Sequence, residues 1–105
     1  MKSKVFVVIP AHNEEKHIGS VVRQTKKYVD KVVVVDDGSK DRTRAIAKKS
    51  KAVVLRHIVN LGKGIAVKTG CDYAVKHNAD VLIIIDADAQ HDPREIPKFL
   101  DSIKK

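Results

Sequence analysis

The chain has 105 residues and a mass of 11.7 kDa, which is enough for one domain. Apolar residues make up 43% of it and charged residues 32%, a globular balance that excludes a disordered or fibrous chain. Its 21 Lys and Arg residues outnumber its 13 Asp and Glu residues, giving a net charge of +8. Such a charge favours anionic partners: phosphorylated metabolites, nucleic acid or an anionic membrane surface.

The cysteine content and the hydropathy of the chain indicate the cellular compartment in which it is expected. The single cysteine, Cys71, excludes an internal disulfide and a cysteine-built zinc site. The longest apolar runs, at 5–10 and 81–85, are too short to cross a bilayer, and the first residues favour a strand over a signal peptide. We therefore expect a cytoplasmic chain.

Strands and helices alternate along the sequence. Nearly continuous β-branched runs at 5–9, 31–35, 52–55 and 81–85 are typical of strands buried on both faces of a parallel sheet. Helical spacing of apolar residues predicts helices over about 14–28, 40–49 and 64–77, and a fourth that opens at Asp92. Asn13, Ser39 and Asp92 are the predicted N-caps. The predicted inward faces are Val67, Cys71, Ala74 and Val75 in the third helix and Ile96, Phe99, Leu100 and Ile103 in the fourth.

This alternation predicts a three-layer α/β/α domain over residues 1–105, with a mainly parallel sheet in the strand order 3-2-1-4. Such Rossmann-like sheets bind ligands outside the carboxyl ends of their strands, near the switch between strands 1 and 4. Polar segments follow all four strands, at 10–14, 36–39, 57–63 and 86–92. The sequence therefore predicts one site at this edge of the sheet.

Asp86 and Asp88 directly follow the fourth strand. Residues two apart in extended backbone point the same way, so both carboxylates face one spot and repel unless a cation lies between them. Carboxylate oxygens suit Mg2+ or Mn2+, and Gln90 and His91 follow within reach. The alternative is a solvated acidic turn. The position after a buried strand favours the metal.

Asp36 and Asp37 end the second strand, before Gly38, which permits a tight turn, and Ser39. A carboxylate here could accept hydrogen bonds from a nucleobase edge, although two turn-forming aspartates are the simpler alternative. Lys63, in the segment 60–64, could meet a diphosphate, or it could be an ordinary solvated lysine. The glycines of that segment match the dinucleotide fingerprint too poorly to predict a dinucleotide fold.

Histidines and aromatic residues add less. His12 and His91 lie beside the predicted site, whereas His17, His57 and His77 are expected to be ordinary surface or helix-end residues. The chain has only four aromatic residues, and none lies within a basic stripe. This pattern argues against binding of single-stranded nucleic acid.

Four motifs together resemble the family 2 glycosyltransferases of the GT-A fold. They are Val8 to Glu15, Val35 to Asp41, Asn60 to Gly64 and Asp86 to His91, in the family's order and across nearly the whole chain. The similarity is greatest to the branch that contains dolichol-phosphate mannose synthase and the polyprenyl-phosphate glycosyltransferases. The resemblance implies an inverting, metal-dependent enzyme that moves a sugar from a GDP-mannose or UDP-glucose type of donor to a polyprenyl or dolichyl phosphate.

The resemblance also implies roles for individual residues. Asp86 and Asp88 would be the catalytic carboxylates that hold the ribose and a diphosphate-bridging Mg2+ or Mn2+, with Gln90 as a further metal ligand. The nucleotide-binding residues would be Pro10, His12, Glu14, Asp36, Asp37, Lys63 and Asp86.

The chain is shorter than members of that family, which continue into acceptor-binding elements. We therefore expect the donor-binding part alone, truncated at its C-terminus, and the alternative function is a non-catalytic nucleotide-sugar-binding or assembly module. The fourth strand would leave an apolar edge unpaired, so self-association or a completing partner chain is expected. A polyprenyl-phosphate acceptor would bring the chain to the cytoplasmic face of a membrane.

Overall fold

Four parallel strands form one sheet in the order β3-β2-β1-β4, which confirms the predicted topology. The computed structural model describes residues 3–103. The strands are β1 (Val5–Ala11), β2 (Lys31–Asp37), β3 (Val53–His57) and β4 (Val81–Ile84). β1 pairs with β2 on one side and with β4 on the other. The switch point of the sheet therefore lies between β1 and β4, as predicted.

Helices cover both faces of this sheet. They are α1 (Ile18–Thr25), α2 (Thr43–Lys49), α3 (Lys63–Lys76) and α4 (Ile96–Ile103), and a 3-10 turn (Pro93–Glu95) precedes α4. Residues of α1, α2 and α4 share one hydrophobic core, and α3 packs into a second core on the opposite face. The α/β/α layering is thus confirmed. Among the described helices, none combines the length and apolar character that a bilayer crossing needs.

β1 is an inner strand of the sheet, and its side chains contribute to both hydrophobic cores. Val7 and Ile9 point into the core beneath α1 and α2, while Phe6 and Val8 point into the core beneath α3. This division follows the twofold alternation of strand side chains. All seven residues of β1 are buried, so the backbone leaving Ala11 is held firmly where the carboxyl edge begins.

The first two helices begin later than predicted, and two predicted N-caps are wrong. α1 starts at Ile18, and Asn13 instead adopts a φ of 53° in the preceding loop. The backbone N–H of Asn13 donates to Ser39 Oγ at 2.9 Å, and Asn13 Oδ1 accepts from the backbone N–H of Lys40 at 2.9 Å. The side chains of Asn13 and Ser39 therefore connect the loops after β1 and β2, and neither caps a helix.

α2 starts at Thr43 after Arg42 in the N-cap position, and the carboxylate of Asp41 closes the turn that precedes it. Asp41 Oδ1 accepts from the Thr43 backbone N–H at 2.9 Å and from the Thr43 hydroxyl at 2.5 Å. Burial would raise the pKa of Asp41, but these hydrogen bonds together outweigh it and hold that pKa below its ordinary value. The predicted cap at Asp92 is confirmed for the 3-10 turn before α4, where Asp92 Oδ1 accepts from the Arg94 backbone N–H, while α4 itself begins only at Ile96.

Small residues decide which face of α3 is buried. Ala66, Gly70 and Ala74 face the sheet, and a Cβ added to Gly70 would lie 2.3 Å from Val8 Cγ1. The helix therefore approaches β1 closely. The predicted inward position of Val75 is wrong, since it is 72% exposed. In α4, likewise, Ile96 is buried and Leu100 is partly buried, whereas Phe99 and Ile103 are about half exposed.

Two aspartates fix the start of β1 against both of its neighbours. Asp30, just before β2, accepts from the Val5 backbone N–H at 2.7 Å and donates its own N–H to the Val5 carbonyl. Asp80, just before β4, makes the equivalent pair of bonds with Lys4. Because a slip of one residue would reverse which side chains face each core, these contacts help to define the register.

Candidate functional site

A cleft opens where the carboxyl ends of β1, β2 and β4 meet. It has a volume of about 270 Å³. Seven of the nine predicted site residues line it, together with four further residues. The predicted ones are Pro10, His12, Glu14, Asp37, Lys63, Asp86 and Asp88, and the others are Ala11, Asn60, Ala66 and Ala87.

Lys63 forms an ion pair with Asp86 across this cleft. Lys63 is the first residue of α3, and its Nζ lies 2.5 Å from Asp86 Oδ1. The hydrogen bond to Asp86, with the attraction of the Asp86 and Asp88 charges, raises the pKa of Lys63 above its ordinary value. The backbone N–H of Asp86 donates to His91 Nδ1 at 3.2 Å. A lysine therefore already supplies part of the positive charge that the two aspartates require.

The turn after Asp86 brings Asp88 into the cleft and directs Gln90 elsewhere. Asp88 Oδ1 accepts from the Gln90 backbone N–H at 3.1 Å, and Ala89 between them has a φ of 66°. Gln90 lines a neighbouring depression beside Ser20 and Gln24 of α1. Within residues 3–103, no three His, Cys, Asp or Glu side chains cluster as a metal site would require. Protein carboxylates at the cleft could thus supply only part of a metal's ligands.

Asp37 is the most constrained carboxylate of the cleft. It is 3% exposed, and its Oδ1 accepts from His57 Nδ1 at 2.8 Å and from the Leu61 N–H at 2.9 Å. Its Oδ2 accepts from the Gly62 N–H at 2.9 Å. Burial would raise the pKa of Asp37, but the hydrogen bonds from Leu61, His57 and Gly62 outweigh it and lower that pKa below its ordinary value. The residue is therefore a charged anchor for the loop after β3.

The prediction that His57 is an ordinary surface residue is wrong. Its side chain is 11% exposed, and its Nε2 lies 2.9 Å from Thr69 Oγ1 of α3. Because a carboxylate only accepts, His57 Nδ1–H donates to Asp37 and positions it. The predicted strand order made β2 and β3 neighbours, but the register that brings Asp37 opposite His57 is seen only in the structure.

Asp36 and His12 support the cleft differently. Asp36 is buried, does not line the cleft, and accepts from the Ser39 backbone N–H at 3.1 Å through Oδ1. His12 Nδ1 lies 2.8 Å from the Asp37 carbonyl oxygen, and its Nε2 lies 3.2 Å from Asn13 Nδ2. These partners select the tautomer in which Nδ1 carries the proton and Nε2 accepts. The imidazole ring is thereby held at the mouth of the cleft.

The charges of the cleft restrict what can bind there. Its lining includes four carboxylates, from Glu14, Asp37, Asp86 and Asp88, and a single ammonium, from Lys63. An anionic ligand would be repelled by this lining unless a cation accompanied it. Carboxylate oxygens are suitable ligands for hard divalent cations, which also accept phosphate oxygens. Asp86 and Asp88 could therefore supply two carboxylates to such a cation, and its remaining ligands would have to come from a phosphorylated ligand or from water.

A parallel sheet of this order with a polar cleft at its switch point defines a Rossmann-like α/β domain, a class in which ligands bind at the carboxyl edge of the sheet. A family model described as Glycosyl transferase family 2 matches residues 6–105. The chain belongs to this family. The resemblance inferred from the four motifs is thereby confirmed.

Individual relatives agree with this assignment. An uncharacterised protein of Methanocaldococcus jannaschii is 46% identical over 103 residues, which cover 97% of this chain and 42% of that protein. The UDP-N-acetylglucosamine–dolichyl-phosphate N-acetylglucosaminyltransferase of Methanococcus voltae is 35% identical over 117 residues, covering 94% of this chain and 47% of that enzyme. The chain thus spans less than half the length of these two relatives.

A solved structure shows the same architecture. Glucosyl-3-phosphoglycerate synthase of Mycobacterium tuberculosis, in complex with Mn2+, UDP and glucosyl-3-phosphoglycerate, superposes with a TM-score of 0.79 and 29% sequence identity. The match covers 96% of this chain and 39% of that one. The chain therefore has the fold of the matching part of a GT-A glycosyltransferase, as predicted.

Proposed function

We propose that this chain is the donor-binding part of a glycosyltransferase that moves a sugar from a nucleoside-diphosphate sugar to a polyprenyl phosphate. The observation that carries the proposal is the cleft, in which Asp86 and Asp88 face Lys63 and Asp37 at the switch point of the sheet. Family membership supports a transferase over a non-catalytic module. The acceptor class is supported by the dolichyl-phosphate substrate in the name of the Methanococcus voltae relative.

Each residue of the cleft has a proposed part in holding the donor. Asp37 offers a buried carboxylate to the N–H groups of a nucleobase, and His12 and Pro10 line the same pocket. Asp86 and Asp88 would hold Mg2+ or Mn2+ through carboxylate oxygens, with Gln90 as a further ligand after a turn of its side chain towards the cleft. When bound, the metal would neutralise the diphosphate leaving group. Asp36 would act on the nucleotide only through the loop that it braces.

The proposed reaction is a single displacement. An oxygen of the acceptor phosphate forms a bond to the anomeric carbon while the bond from that carbon to the diphosphate breaks, and the electron pair leaves with the nucleoside diphosphate. One displacement inverts the configuration at the anomeric carbon. Because the acceptor phosphate is already an anion, no side chain has to remove a proton from it. The task of the cleft is to position the donor and stabilise the leaving charge.

Calorimetric titration of UDP and GDP with and without Mn2+ tests the proposal. Asp88→Asn keeps an acceptor for the Gln90 N–H but removes the charge, so the Mn2+-dependent affinity should fall by about 10- to 100-fold, the worth of one charge-assisted interaction. The control is Asp72→Asn on the outer face of α3, where Asp72 pairs with Lys68 in solvent. Equal affinities of the Asp88 variant and the wild type would remove Asp88 from the site.

Transfer itself requires a second measurement. Release of free nucleotide from a nucleotide sugar should depend on a divalent metal and should be accelerated by a polyprenyl phosphate. Binding without any release would support the non-catalytic alternative for this chain. Release that ignores the lipid phosphate would contradict the proposed acceptor class.

A further inference from the structure

The positive charge of the chain is concentrated in one segment. Residues 42–71 contain eight Lys and Arg residues and no Asp or Glu. The remaining 13 basic residues are balanced by all 13 acidic residues, so this segment accounts for the whole net charge of +8. It comprises α2, β3, the loop after β3 and the first nine residues of α3, so its charges are divided between the carboxyl edge of the sheet and the opposite end, where Lys49 and Lys51 lie.

Large apolar side chains project into solvent from the middle of this basic segment. Ile58 is 83% exposed and Val59 is 60% exposed, while Leu61 and Ile65 are each about half exposed. We call these four residues the apolar tip. Exposed aliphatic side chains so close together in sequence are a signature of a binding surface, because scattered single ones are the norm.

Hydrogen bonds and close packing fix the backbone beneath the apolar tip. Asp37 accepts the backbone N–H groups of Leu61 and Gly62 from below, and Gly38 lies so near that an added Cβ would be 2.3 Å from the backbone nitrogen of Asn60. The backbone of the loop is therefore held in place while its side chains point outward. Such a loop can present its side chains without first paying the entropy of becoming ordered.

Three arginines lie at the same carboxyl edge of the sheet as the apolar tip. Arg42 and Arg44 lie at the start of α2, and Arg56 lies near the end of β3, all at the carboxyl half of the sheet. In the part of the chain from 3 to 103, none of these three side chains forms an ion pair or a hydrogen bond. Of the cleft carboxylates, Asp86 and Asp88 follow β4, which lies at the other end of the sheet from β3.

We infer that the apolar tip and these arginines dock the carboxyl edge of the sheet onto an anionic lipid bilayer. Aliphatic side chains would enter the boundary between headgroups and acyl chains, and the guanidinium groups would meet anionic headgroups. Asn60 of the same loop lines the cleft, so docking would hold the cleft at the membrane surface. The inference rests on the proposed function, because a polyprenyl-phosphate acceptor presents its phosphate at that surface.

Vesicle sedimentation with the whole 105-residue chain tests the inference. The probes are vesicles of pure phosphatidylcholine and vesicles of equimolar phosphatidylcholine and phosphatidylglycerol. Wild type should bind the anionic vesicles and not the neutral ones. Ile58→Ser combined with Val59→Ser should weaken this binding by about tenfold or more. Val75→Ser, an equally exposed apolar site on the outer face of α3, is the matched control and should bind as wild type does.

A charge comparison separates docking from general attraction. Arg42→Gln with Arg56→Gln should weaken vesicle binding by about tenfold or more, since each cation at the surface contributes about fivefold. Lys49→Gln with Lys51→Gln removes the same charge from the basic cleft at the opposite end of the sheet and should have little effect. Equal losses for the two pairs would show that net charge alone attracts the chain, and would overturn the inference.

Two further outcomes are decisive. If the tip variant changes the mass measured by light scattering but not vesicle binding, the tip is a protein–protein interface and the inference is wrong. Calorimetry with UDP or GDP and Mn2+ keeps the two proposals apart. If the wild type binds nucleotide but not vesicles, the docking inference is refuted and the proposed donor site is not. If it binds vesicles through the apolar tip but does not bind nucleotide, the proposed donor site is refuted and the docking inference is not. Circular dichroism of each variant confirms that it is folded.

Discussion

Replacing Asp37 with asparagine tests whether one buried carboxylate holds the loop after β3. The side chain keeps its shape, but one carboxylate oxygen becomes an NH2 group that can only donate. Asp37 accepts three hydrogen bonds in the wild type, from His57, Leu61 and Gly62. In Asp37→Asn, at least one of these donors would face another donor, and the remaining bonds would lose the help of the negative charge.

The size of the effect follows from these contacts. A hydrogen bond to a charged group contributes about 1.5–3 kcal/mol, and a buried donor left without a partner costs about 1–3 kcal/mol. We therefore expect Asp37→Asn to lower the free energy of unfolding at neutral pH by about 2–4 kcal/mol. The control is Asp72→Asn, where an exposed i,i+4 pair with Lys68 is lost, and the expected change is about 0.5 kcal/mol or less.

Urea unfolding followed by circular dichroism measures both variants, and its pH dependence gives a second check. The pKa of Asp37 in the folded chain is below its ordinary value of 3.8, so the unfolded chain takes up the proton first. The stabilisation from Asp37 is present above 3.8 and is lost as the pH falls through the lowered pKa. The difference between wild type and Asp37→Asn should thus narrow in acid. A cost no larger than that of Asp72→Asn, or a difference that widens in acid, would refute the reasoning.

Gly38→Ala should lower the free energy of unfolding, measured by urea denaturation, by about 2–4 kcal/mol, because φ is +69° and the added Cβ would meet the backbone of the loop after β3. Gly64→Ala is the control: the space around Gly64 is open, so the free energy of unfolding should change by less than about 0.5 kcal/mol. Ile84→Lys, on the outer edge of β4, should convert any self-associated form to monomer in light scattering, and an unchanged mass would place that contact elsewhere. Lys63→Met should raise the affinity for Mn2+ alone in calorimetry by removing a competing cation, and an unchanged affinity would contradict that competition.

The fold was predictable from the sequence because the strands are unusually uniform. β1 is an apolar run that polar residues follow, and the apolar run of β2 ends in Asp36 and Asp37; this pattern predicts both the parallel sheet and the edge where the cleft lies. The positions of Asp37, Asp86 and Asp88 at the cleft were predictable for the same reason, since Asp37 ends β2 and the other two closely follow β4. The end of a strand can be predicted from neighbouring residues alone, so the sequence is sufficient to locate these aspartates.

The errors concern residues whose partners are distant in sequence. Asn13 and Ser39 have the composition of N-caps, but they bond to each other's loops across a separation of 26 residues. His57 is polar and near a loop, and only the pairing of β2 with β3 reveals that it meets Asp37. Val75 fits a hydrophobic stripe, yet Gly70 brings α3 so close to Val8 that the small residues must face inward. Local rules describe preferences that tertiary contacts then override.

The paired contacts of Asp30 and Asp80 with the start of β1 have a kinetic consequence. β1 meets β2 soon after both are synthesised, but its other edge waits for β4, and the bond from the Lys4 N–H to Asp80 spans 76 residues. Until β4 has been synthesised, β1, the most buried of the described strands, has one side of its backbone unpaired. Such delayed closure slows folding and exposes a strand edge to neighbouring chains. Nascent chains that stall between β3 and β4 are therefore expected to be the species most dependent on chaperones.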